Sequence, residues 1–340
     1  MKKLVAMLLS ITLALTACGG SSSAPADSSK PADAASGASS TAAPADPGKE
    51  VKINFGTGGT TGTYYAYGGV LANILSAELE GVTINVQSTG ASKANILQVE
   101  DKEADMAIVQ NDVMYYAYNG TDLFSDVGAV KGFSALGAVY AETCQIISVG
   151  DIKTIEDLKG KRISVGDAGS GVEFNARQIL EAYGIKFEDI KVNNLSFGDS
   201  ADAIKDGKID AFFCTAGAPT TAIVELATTK GINVLAIDDA HAKTLMEKYP
   251  FYTQFAIPGG SYKGVDNDVM TVSVKATLIV SNDLPEDVVY RMTKTMFDKK
   301  AAISESHAKG AELDPAYAVA GISVPFHPGA QKYYKEAGVL

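Results

Sequence analysis

A short strand, a glycine-rich turn and a helix follow one another twice in this chain, and this repeat limits the folds open to it. In the first copy, the alternating strand 51–55 leads into the turn 56–69, which is rich in Gly, Thr and Tyr. In the second copy, the strand 162–165 leads into the turn 166–171. Units of this kind build parallel sheets, whose turns lie beyond the carboxyl ends of the strands. The sequence therefore predicts an α/β fold with a ligand-facing turn in each half.

Each half continues the alternation. Further strands are predicted at 82–87, 105–109, 191–194, 209–214 and 233–236, with helices near 64–80, 90–103, 110–118, 154–161 and 172–183. Two apolar runs, 133–140 and 143–149, come in quick succession, and 269–280 is a long extended run. We interpret the first two runs as the crossing into a second lobe and 269–280 as the return crossing. The chain would then form two hinged lobes, whose glycine-rich turns face each other across a cleft. The predicted lobes are lobe 1, 49–141 and 275–340, and lobe 2, 142–274.

The N-terminus has the features of an export signal for a lipoprotein. Two lysines precede an apolar run over 4–15, which is too short to span a membrane. Residues 15–18, Leu-Thr-Ala-Cys, match the bacterial lipobox, in which the cysteine is acylated. We predict a signal peptide over 1–17, an acylated Cys18 with a disordered tether over 18–48, and an extracytoplasmic protein anchored to the cell membrane. The alternative is an ordinary signal with an incidental cysteine.

The charge balance argues against two classes of partner. The chain has 29 basic and 40 acidic residues, and loss of Lys2 and Lys3 with the signal would leave 27 against 40, a net charge of −13. Such a protein is not expected to bind nucleic acid or an anionic lipid surface. We expect Cys144 and Cys214 to be two separate buried thiols, with a disulfide as the alternative. No cluster has metal-ligand spacing, so no metal and no cofactor is predicted, although scattered carboxylates leave a calcium ion open.

Seven segments in a fixed order carry a resemblance to a known family. They are 56–69, 88–92, 104–112, 165–171, 215–219, 257–262 and 326–330, of which the third reads Ala-Asp-Met-Ala-Ile-Val-Gln-Asn-Asp. Over residues 50–338 the chain closely resembles the TAXI family of solute-binding proteins, the extracytoplasmic receptors of one class of TRAP transporter. The resemblance implies a type II periplasmic-binding-protein fold, with two Rossmann-like lobes around a hinged cleft. It also implies delivery of a solute to a membrane-embedded permease driven by an ion gradient. Characterised relatives mostly bind glutamate, related amino acids or dicarboxylates such as 2-oxoglutarate.

Small and hydroxyl-bearing residues at the predicted carboxyl ends of the strands form the candidate ligand site. Backbone N–H groups in such turns bind an anionic or carbonyl oxygen, and hydroxyls add hydrogen bonds. The predicted ligand-binding residues are Gly58, Gly59, Thr60, Thr61, Tyr64, Thr89, Ser92, Gln110, Tyr140, Asp167, Gly169, Ser170, Gly171, Thr215 and Gly217. Among them, Gln110 is expected to point its amide into the cleft, and Tyr140 is placed on the cleft floor. Neither Arg162 nor Arg177 is placed to clamp a carboxylate, so N–H groups, hydroxyls and helix dipoles are expected to hold it.

Enzyme-like interpretations of these turns fail on their sequence context. A dinucleotide-binding turn needs an acid at the end of the second strand, where this chain has Gln87 and Ser88, and the Gly-Lys-Ser/Thr of a P-loop is absent. Ser170 lacks the Gly-x-Ser-x-Gly pattern of a hydrolase nucleophile. It is interpreted as a helix N-cap that contacts the ligand or serves as a cap only. No catalytic residue is predicted. The predicted function is that of a solute receptor for a TRAP permease. A receptor for a membrane sensor kinase or chemoreceptor is the alternative, and a secreted hydrolase is less favoured.

Overall fold

The computed structural model describes residues 50–340, which contain ten strands and eleven α-helices. The strands are β1 Val51–Gly56, β2 Val82–Gln87, β3 Met106–Gln110, β4 Phe133–Ser148, β5 Arg162–Ser164, β6 Lys191–Asn193, β7 Ala211–Ala216, β8 Asn233–Val234, β9 Thr253–Ile257 and β10 Val269–Ser281. The helices are α1 Thr63–Glu78, α2 Ser92–Glu100, α3 Asn111–Asn119, α4 Gly171–Ala182, α5 Phe197–Lys205, α6 Thr221–Thr229, α7 Asp239–Lys248, α8 Glu286–Asp298, α9 Lys300–Ser306, α10 Pro315–Val319 and α11 Pro328–Glu336. The predicted signal peptide, Cys18 and tether lie outside the described residues.

Two groups of parallel strands are joined by two long antiparallel strands. The order is β2-β1-β3-β10-β4-β7-β5-β6, with β8 beside β4 and β9 beside β10. Strand β1 is parallel to β2 and β3, and β5 is parallel to β6 and β7. We use lobe 1 for the β1–β3 half with α1–α3 and α8–α11, and lobe 2 for the β5–β7 half with α4–α7. The predicted residue limits of the lobes remain a prediction.

Strands β4 and β10 each run through both halves. The first part of β4 pairs with β10, as in Ala135↔Ile279, and its second part pairs with β7, as in Cys144↔Thr215. The two apolar runs expected at 133–140 and 143–149 are thus one continuous strand. The reason is Glu142, which interrupts the apolar run in the sequence but stays within the strand, buried and hydrogen-bonded to Tyr64.

Helices cover both faces of the sheet in each lobe. In lobe 1, separate apolar clusters form around Leu71 on one face and Val109 on the other; in lobe 2 they form around Ile179 and Phe212. Parallel strands buried on both faces read as continuous apolar runs, as in β3. The predicted fold class, a two-lobed α/β fold of the periplasmic-binding-protein kind, is confirmed.

Some local predictions change. The helix expected at 154–161 is a single 3₁₀ turn, Glu156–Leu158, and the strand expected at 209–214 begins two residues later. Cys144 and Cys214 are both buried and free, as expected. Because Cys144 lies opposite Thr215 in the β4–β7 pair, the two thiols point to opposite faces of the sheet and enter different apolar clusters. Over residues 50–340 no helix combines the length and the apolar character needed to span a bilayer.

Candidate functional site

A cavity lies where the two lobes meet, beyond the carboxyl ends of their parallel strands. Its empty space amounts to about 540 Å³, counted to its open mouth. Its lining consists of Gly58, Gly59, Thr61, Gly62, Thr63, Tyr64, Ala91, Ser92, Gln110, Glu142, Asp167, Ser170, Val172, Ser196, Phe197, Thr215 and Ala216. Both lobes and the crossing strand β4 contribute to this lining.

Five helices begin at this cavity. The residues that precede α1, α2, α3, α4 and α5 all line it: Gly62, Ala91, Gln110, Ser170 and Ser196. The first N–H groups of a helix have no partner within the helix, and the helix dipole gives this end a partial positive charge. Such convergence favours an anionic group in the cavity without any basic side chain.

The lobe 1 turn before α1 is open. A Cβ placed on Gly59 would meet no atom within 4 Å, and Gly62 provides no side chain to cap α1. Beside the cavity this turn also touches lobe 2: the Thr63 hydroxyl donates to Gly217 O at 3.0 Å, and Thr61 O accepts from Ala222 N at 3.4 Å. The turn therefore combines free N–H groups with contacts that hold the lobes together.

In the lobe 2 turn before α4, side chains of the same segment accept hydrogen bonds from backbone N–H groups. Ser170 accepts a hydrogen bond from Glu173 N at 3.2 Å, and the Glu173 carboxylate accepts one from Gly169 N at 2.7 Å. Gly166 and Gly169 have φ values of 92° and 74°, a region that favours glycine. The predicted N-cap role of Ser170 is confirmed, and its side chain also lines the cavity.

Both charged side chains in the lining are acids. Glu142 is 1 % exposed, and its Oε2 accepts a hydrogen bond of 2.6 Å from the Tyr64 hydroxyl. Burial raises the pKa of Glu142 well above its usual value, against smaller lowering effects of the Tyr64 hydrogen bond and Lys309. Burial also raises the pKa of Asp167, with a smaller contribution from the Asp199 charge. The cavity is thus acidic on its side chains and electropositive at its helix starts.

A buried polar network ties the lobes together behind the cavity. Gln110 Nε2 of lobe 1 donates to Asn175 Oδ1 of lobe 2 at 2.5 Å. Asn175 Nδ2 in turn lies 3.0 Å from Asp112 Oδ2 and 2.8 Å from the Tyr252 hydroxyl. Burial raises the pKa of Asp112 to about 6, although hydrogen bonds from Asn175 and from backbone N–H groups act in the opposite direction. Gln110 therefore faces the cavity while its amide is held across the lobe boundary.

The structure brings together most of the residues predicted for the site. Those in the lining are Gly58, Gly59, Thr61, Tyr64, Ser92, Gln110, Asp167, Ser170 and Thr215. The remaining predicted residues, which do not line it, are Thr60, Thr89, Tyr140, Gly169, Gly171 and Gly217.

These six residues have other surroundings. Thr60 is exposed, and the Thr89 hydroxyl is engaged with Thr57 O and Asn95. Tyr140 is fully buried in the lobe 1 core, with its ring centroid 5.1 Å from that of Tyr67. The Gly169 N–H is held by Glu173, as described above.

Gly171 and Gly217 lie at contacts between the lobes. A Cβ at Gly171 would overlap Gln110 Oε1, and one at Gly217 would come within 2.9 Å of Thr63 Cγ2. Their role in the structure is to allow the close approach of lobe 2 to lobe 1.

Sequence reasoning missed several lining residues: Gly62, Thr63, Ala91, Glu142, Val172, Ser196, Phe197 and Ala216. Two carried a usable signal. Ser196, three residues before Asp199, marks a helix start, and its side chain accepts from Asp199 N at 3.2 Å. Glu142 is an acid inside an otherwise apolar crossing segment, where an unpaired charge is costly and therefore informative.

Among the described residues, no Lys, Arg or His lines the cavity. Arg162 pairs with Asp210, and Arg177 stacks on the Phe187 ring at 3.9 Å. His327 caps α11, and no histidine is among the lining residues. Between residues 50 and 340, no group of three or more His, Cys, Asp or Glu side chains is arranged to hold a metal ion.

Residues 55–338 match the model of the NMT1-like family. The chain belongs to the NMT1-like family. This NMT1-like protein is also similar, at low identity, to solved structures. One is the alkanesulfonate-binding protein SsuA from Xanthomonas axonopodis pv. citri bound to MOPS, at 14% identity, TM-score 0.48, covering 84% of each chain. Another is the putative L-cystine ABC transporter protein from Listeria monocytogenes, at 14% identity and TM-score 0.49, covering 77% of this chain and 98% of that one. A third is the GluR0 ligand-binding core from Nostoc punctiforme with L-glutamate, at 15% identity and TM-score 0.46, covering 76% and 99%.

Proposed function

We propose that this protein is the extracytoplasmic solute receptor of a TRAP-type transporter, and that it binds a small carboxylate such as glutamate, a related amino acid or a dicarboxylate. One observation carries the proposal: five helix starts from two lobes converge on a single cavity at the lobe boundary. Helix starts bind carboxylate oxygens through N–H groups. A site divided between lobes closes when its ligand bridges them.

The order of events follows from the two lobes. The ligand carboxylate first meets lobe 1, where the N–H groups at the starts of α1 and α2 lack side-chain caps. Lobe 2 then closes, and its Ser170, Ser196 and Thr215 complete the polar lining. The contacts from Thr63 to Gly217 and from Gln110 to Asn175 stabilise the closed form. That form is presented to the membrane-embedded permease, while Cys18, through its acyl chains, keeps the receptor at the bilayer.

Ligand screening of the purified protein tests the receptor role. Amino acids, keto acids and dicarboxylates are each added while the melting temperature is followed, and calorimetry then measures the affinity of each compound that raises it. At 100 times its Kd, a ligand adds about 2.7 kcal/mol to the free energy of unfolding. Failure of every compound, together with turnover of ester substrates, would replace the receptor proposal with the hydrolase alternative.

Reconstitution tests the partner and the anchor. Liposomes containing the permease encoded beside this gene should take up the ligand only with the receptor and an ion gradient, without ATP. If the neighbouring membrane protein is a kinase or chemoreceptor whose output follows the ligand, the sensing alternative is supported instead. Cys18→Ala should release the protein from cell membranes, whereas Cys144→Ala should leave it attached.

A further inference from the structure

Glu142 stands out among the lining residues because one of its oxygens is left over. Oε2 accepts the hydrogen bond from the Tyr64 hydroxyl, and within residues 50–340 that is the one hydrogen bond of the Glu142 carboxyl group. The side chain is 1 % exposed to bulk water, yet it lines the cavity. A carboxyl oxygen that the protein leaves without a partner, on a side chain that lines a cavity, is available to a hydrogen-bond donor of the ligand or to water.

The helix starts favour an anionic group of the ligand, whereas the two acids favour a cationic one. The uncapped starts of α1 and α2 provide N–H groups for an anion. Glu142 and Asp167 are the ionisable acids of the lining, which contains no Lys, Arg or His. Lys309 acts on Glu142 from outside the lining and is itself paired with Glu312. An ammonium group next to the two acids would stabilise their ionised forms and could donate to Glu142 Oε1, whereas a second anionic group would favour their neutral forms and raise their pKa further.

We propose that Glu142 is the ammonium anchor of the site, so that the ligand is a zwitterion with its carboxylate at the α1 and α2 starts and its protonated amine on Glu142. This rests on the proposed receptor function and narrows its ligand from carboxylates in general to amino acids and related amino-carboxylates. Tyr64 is a positioning residue, since its hydroxyl occupies Oε2 and turns Oε1 to the cavity.

Binding should also move a proton. Burial keeps the pKa of Glu142 high in the empty cavity, so its carboxyl group holds a proton over a wide pH range. When the ligand ammonium arrives, the Glu142 proton leaves to the solvent, the ligand keeps its own three protons, and the pair forms. Affinity for the amine should therefore fall as the pH is lowered. The titratable groups that interact with Glu142 are Tyr64, Asp112, Tyr140, Cys144, Cys214, Lys309 and Tyr317, and Lys309 is itself paired with Glu312 at 2.6 Å.

The test uses ligand pairs that differ only in the amine. For wild type, L-glutamate should bind more tightly than 2-oxoglutarate, and L-alanine more tightly than pyruvate. Glu142→Gln keeps the shape but not the charge, and should weaken amino-acid binding by about 10- to 100-fold while leaving the keto acids within about threefold. Glu336→Gln, an exposed acid on α11 bonded to Tyr290, is the matched control and should bind as wild type does.

Calorimetry in two buffers with different ionisation enthalpies at one pH counts the protons. Wild type should release up to about one proton on binding an amino acid, and Glu142→Gln should release none. Melting of the ligand-free variant verifies that it folds. If keto acids bind as tightly as amino acids and Glu142→Gln changes neither affinity nor proton release, the anchor proposal is wrong but the receptor role stands. If wild type binds none of the compounds, the receptor proposal itself fails.

Discussion

In lobe 1, α1 and α2 begin at Gly62 and Ala91, neither of which makes a side-chain cap, whereas in lobe 2, α4 and α5 begin at Ser170 and Ser196, which both do. All four starts face the same cavity. A Ser cap satisfies one of the N–H groups that would otherwise be free for a ligand. The lobes therefore differ in what they offer a ligand. In lobe 1 no cap side chain occupies the first N–H groups of α1 and α2, whereas in lobe 2 a Ser hydroxyl occupies one N–H group of α4 and one of α5.

This difference changes the interpretation of the two glycine-rich turns. Their sequences suggest two equivalent cradles facing each other, but the Glu173 carboxylate and the Ser170 hydroxyl use N–H groups of the second turn internally. In our proposal lobe 1 supplies most of the N–H groups that bind the anion, and lobe 2 closes over the bound ligand. The third helix of lobe 1, α3, is an intermediate case, because it has no N-cap bond but carries Asp112 in its first turn.

The largest loss of ligand affinity is expected from a substitution at the contact between lobe 2 and lobe 1. Gly171→Ala would place a Cβ against Gln110 Oε1 and 2.9 Å from Val113 Cγ2. Because overpacking costs about 1–3 kcal/mol, and here only in the closed form, ligand affinity should fall by up to about 100-fold. Small-angle scattering with saturating ligand should show a larger radius of gyration than for wild type.

The control for Gly171→Ala is Gly69→Ala, because a Cβ at Gly69 meets no atom within 4 Å and the residue lies inside α1. That variant should bind normally and be slightly more stable. Normal affinity and normal compaction of Gly171→Ala would show that the lobes do not approach this closely in the bound state.

The fold could be predicted from the sequence further than the site could. Residues 82–87 alternate apolar and polar side chains and 105–109 are mostly apolar, and both are bounded by turns, so local pattern alone located β2 and β3 to within a residue. The continuous strand β4 was harder to predict, because the polar Glu142 resembles a break between two strands. Its burial depends on Tyr64, 78 positions away in the sequence, and no local pattern reports such a pairing.

The predicted site residues also fall into two groups, those that local sequence placed correctly in the cavity lining and those that lie elsewhere. Gly58, Gly59 and Ser170 follow strands directly and line the cavity. Tyr140 was placed by its position at a crossing. It shares a face of β4 with the cavity-lining Glu142 but is fully buried in the lobe 1 core. Gly171 and Gly217 were predicted to bind the ligand, whereas the structure places them where the two lobes approach each other closely.

The pH dependence of stability tests the intermediate case of α3. The pKa of Asp112 is about 6 in the folded protein and 3.8 ordinarily, because it is buried. The folded state therefore holds this proton more tightly than the unfolded chain. As a result, the free energy of unfolding should fall by at most about 3 kcal/mol as the pH rises from about 4 to about 6, and then level off.

Urea unfolding of wild type and Asp112→Asn across this pH range isolates the Asp112 contribution. The difference between the two free energies of unfolding should change between about pH 4 and about pH 6 and stay constant above about pH 6. A constant difference throughout would mean that Asp112 keeps its charge in the folded protein and serves α3 as a permanent first-turn acid.

Adding a side-chain cap to α1 tests whether the uncapped N–H groups of lobe 1 bind the ligand carboxylate. Gly62 has an extended backbone, φ −94° and ψ 162°, and a Cβ there would lie 3.2 Å from Gly59 O, so a side chain needs only a small shift. The carboxylate of Gly62→Asp should bond the α1 N–H groups and compete with the ligand carboxylate. We expect about tenfold weaker binding and a free energy of unfolding raised by about 0.5 kcal/mol.

Gly62→Asn is the matched control, because it caps without a charge and should fall between Gly62→Asp and wild type. Unchanged affinity in Gly62→Asp, with increased stability, would show that the ligand anion lies elsewhere. Calorimetry and urea unfolding on the same preparations measure both quantities.

Removing the cap from α4 should have the smallest effect, and of a different kind. Ser170→Ala loses the bond to Glu173 N and should lower the free energy of unfolding by about 1 kcal/mol. Its effect on affinity should be smaller than that of Gly62→Asp, because the capped N–H is already unavailable to the ligand. Ser196→Ala, which loses the equivalent bond to Asp199 N, should behave alike. If both Ser variants instead weaken binding more than Gly62→Asp does, with stability unchanged, the roles of the lobes are reversed: lobe 2 then holds the anion through its Ser hydroxyls, and lobe 1 closes over the bound ligand.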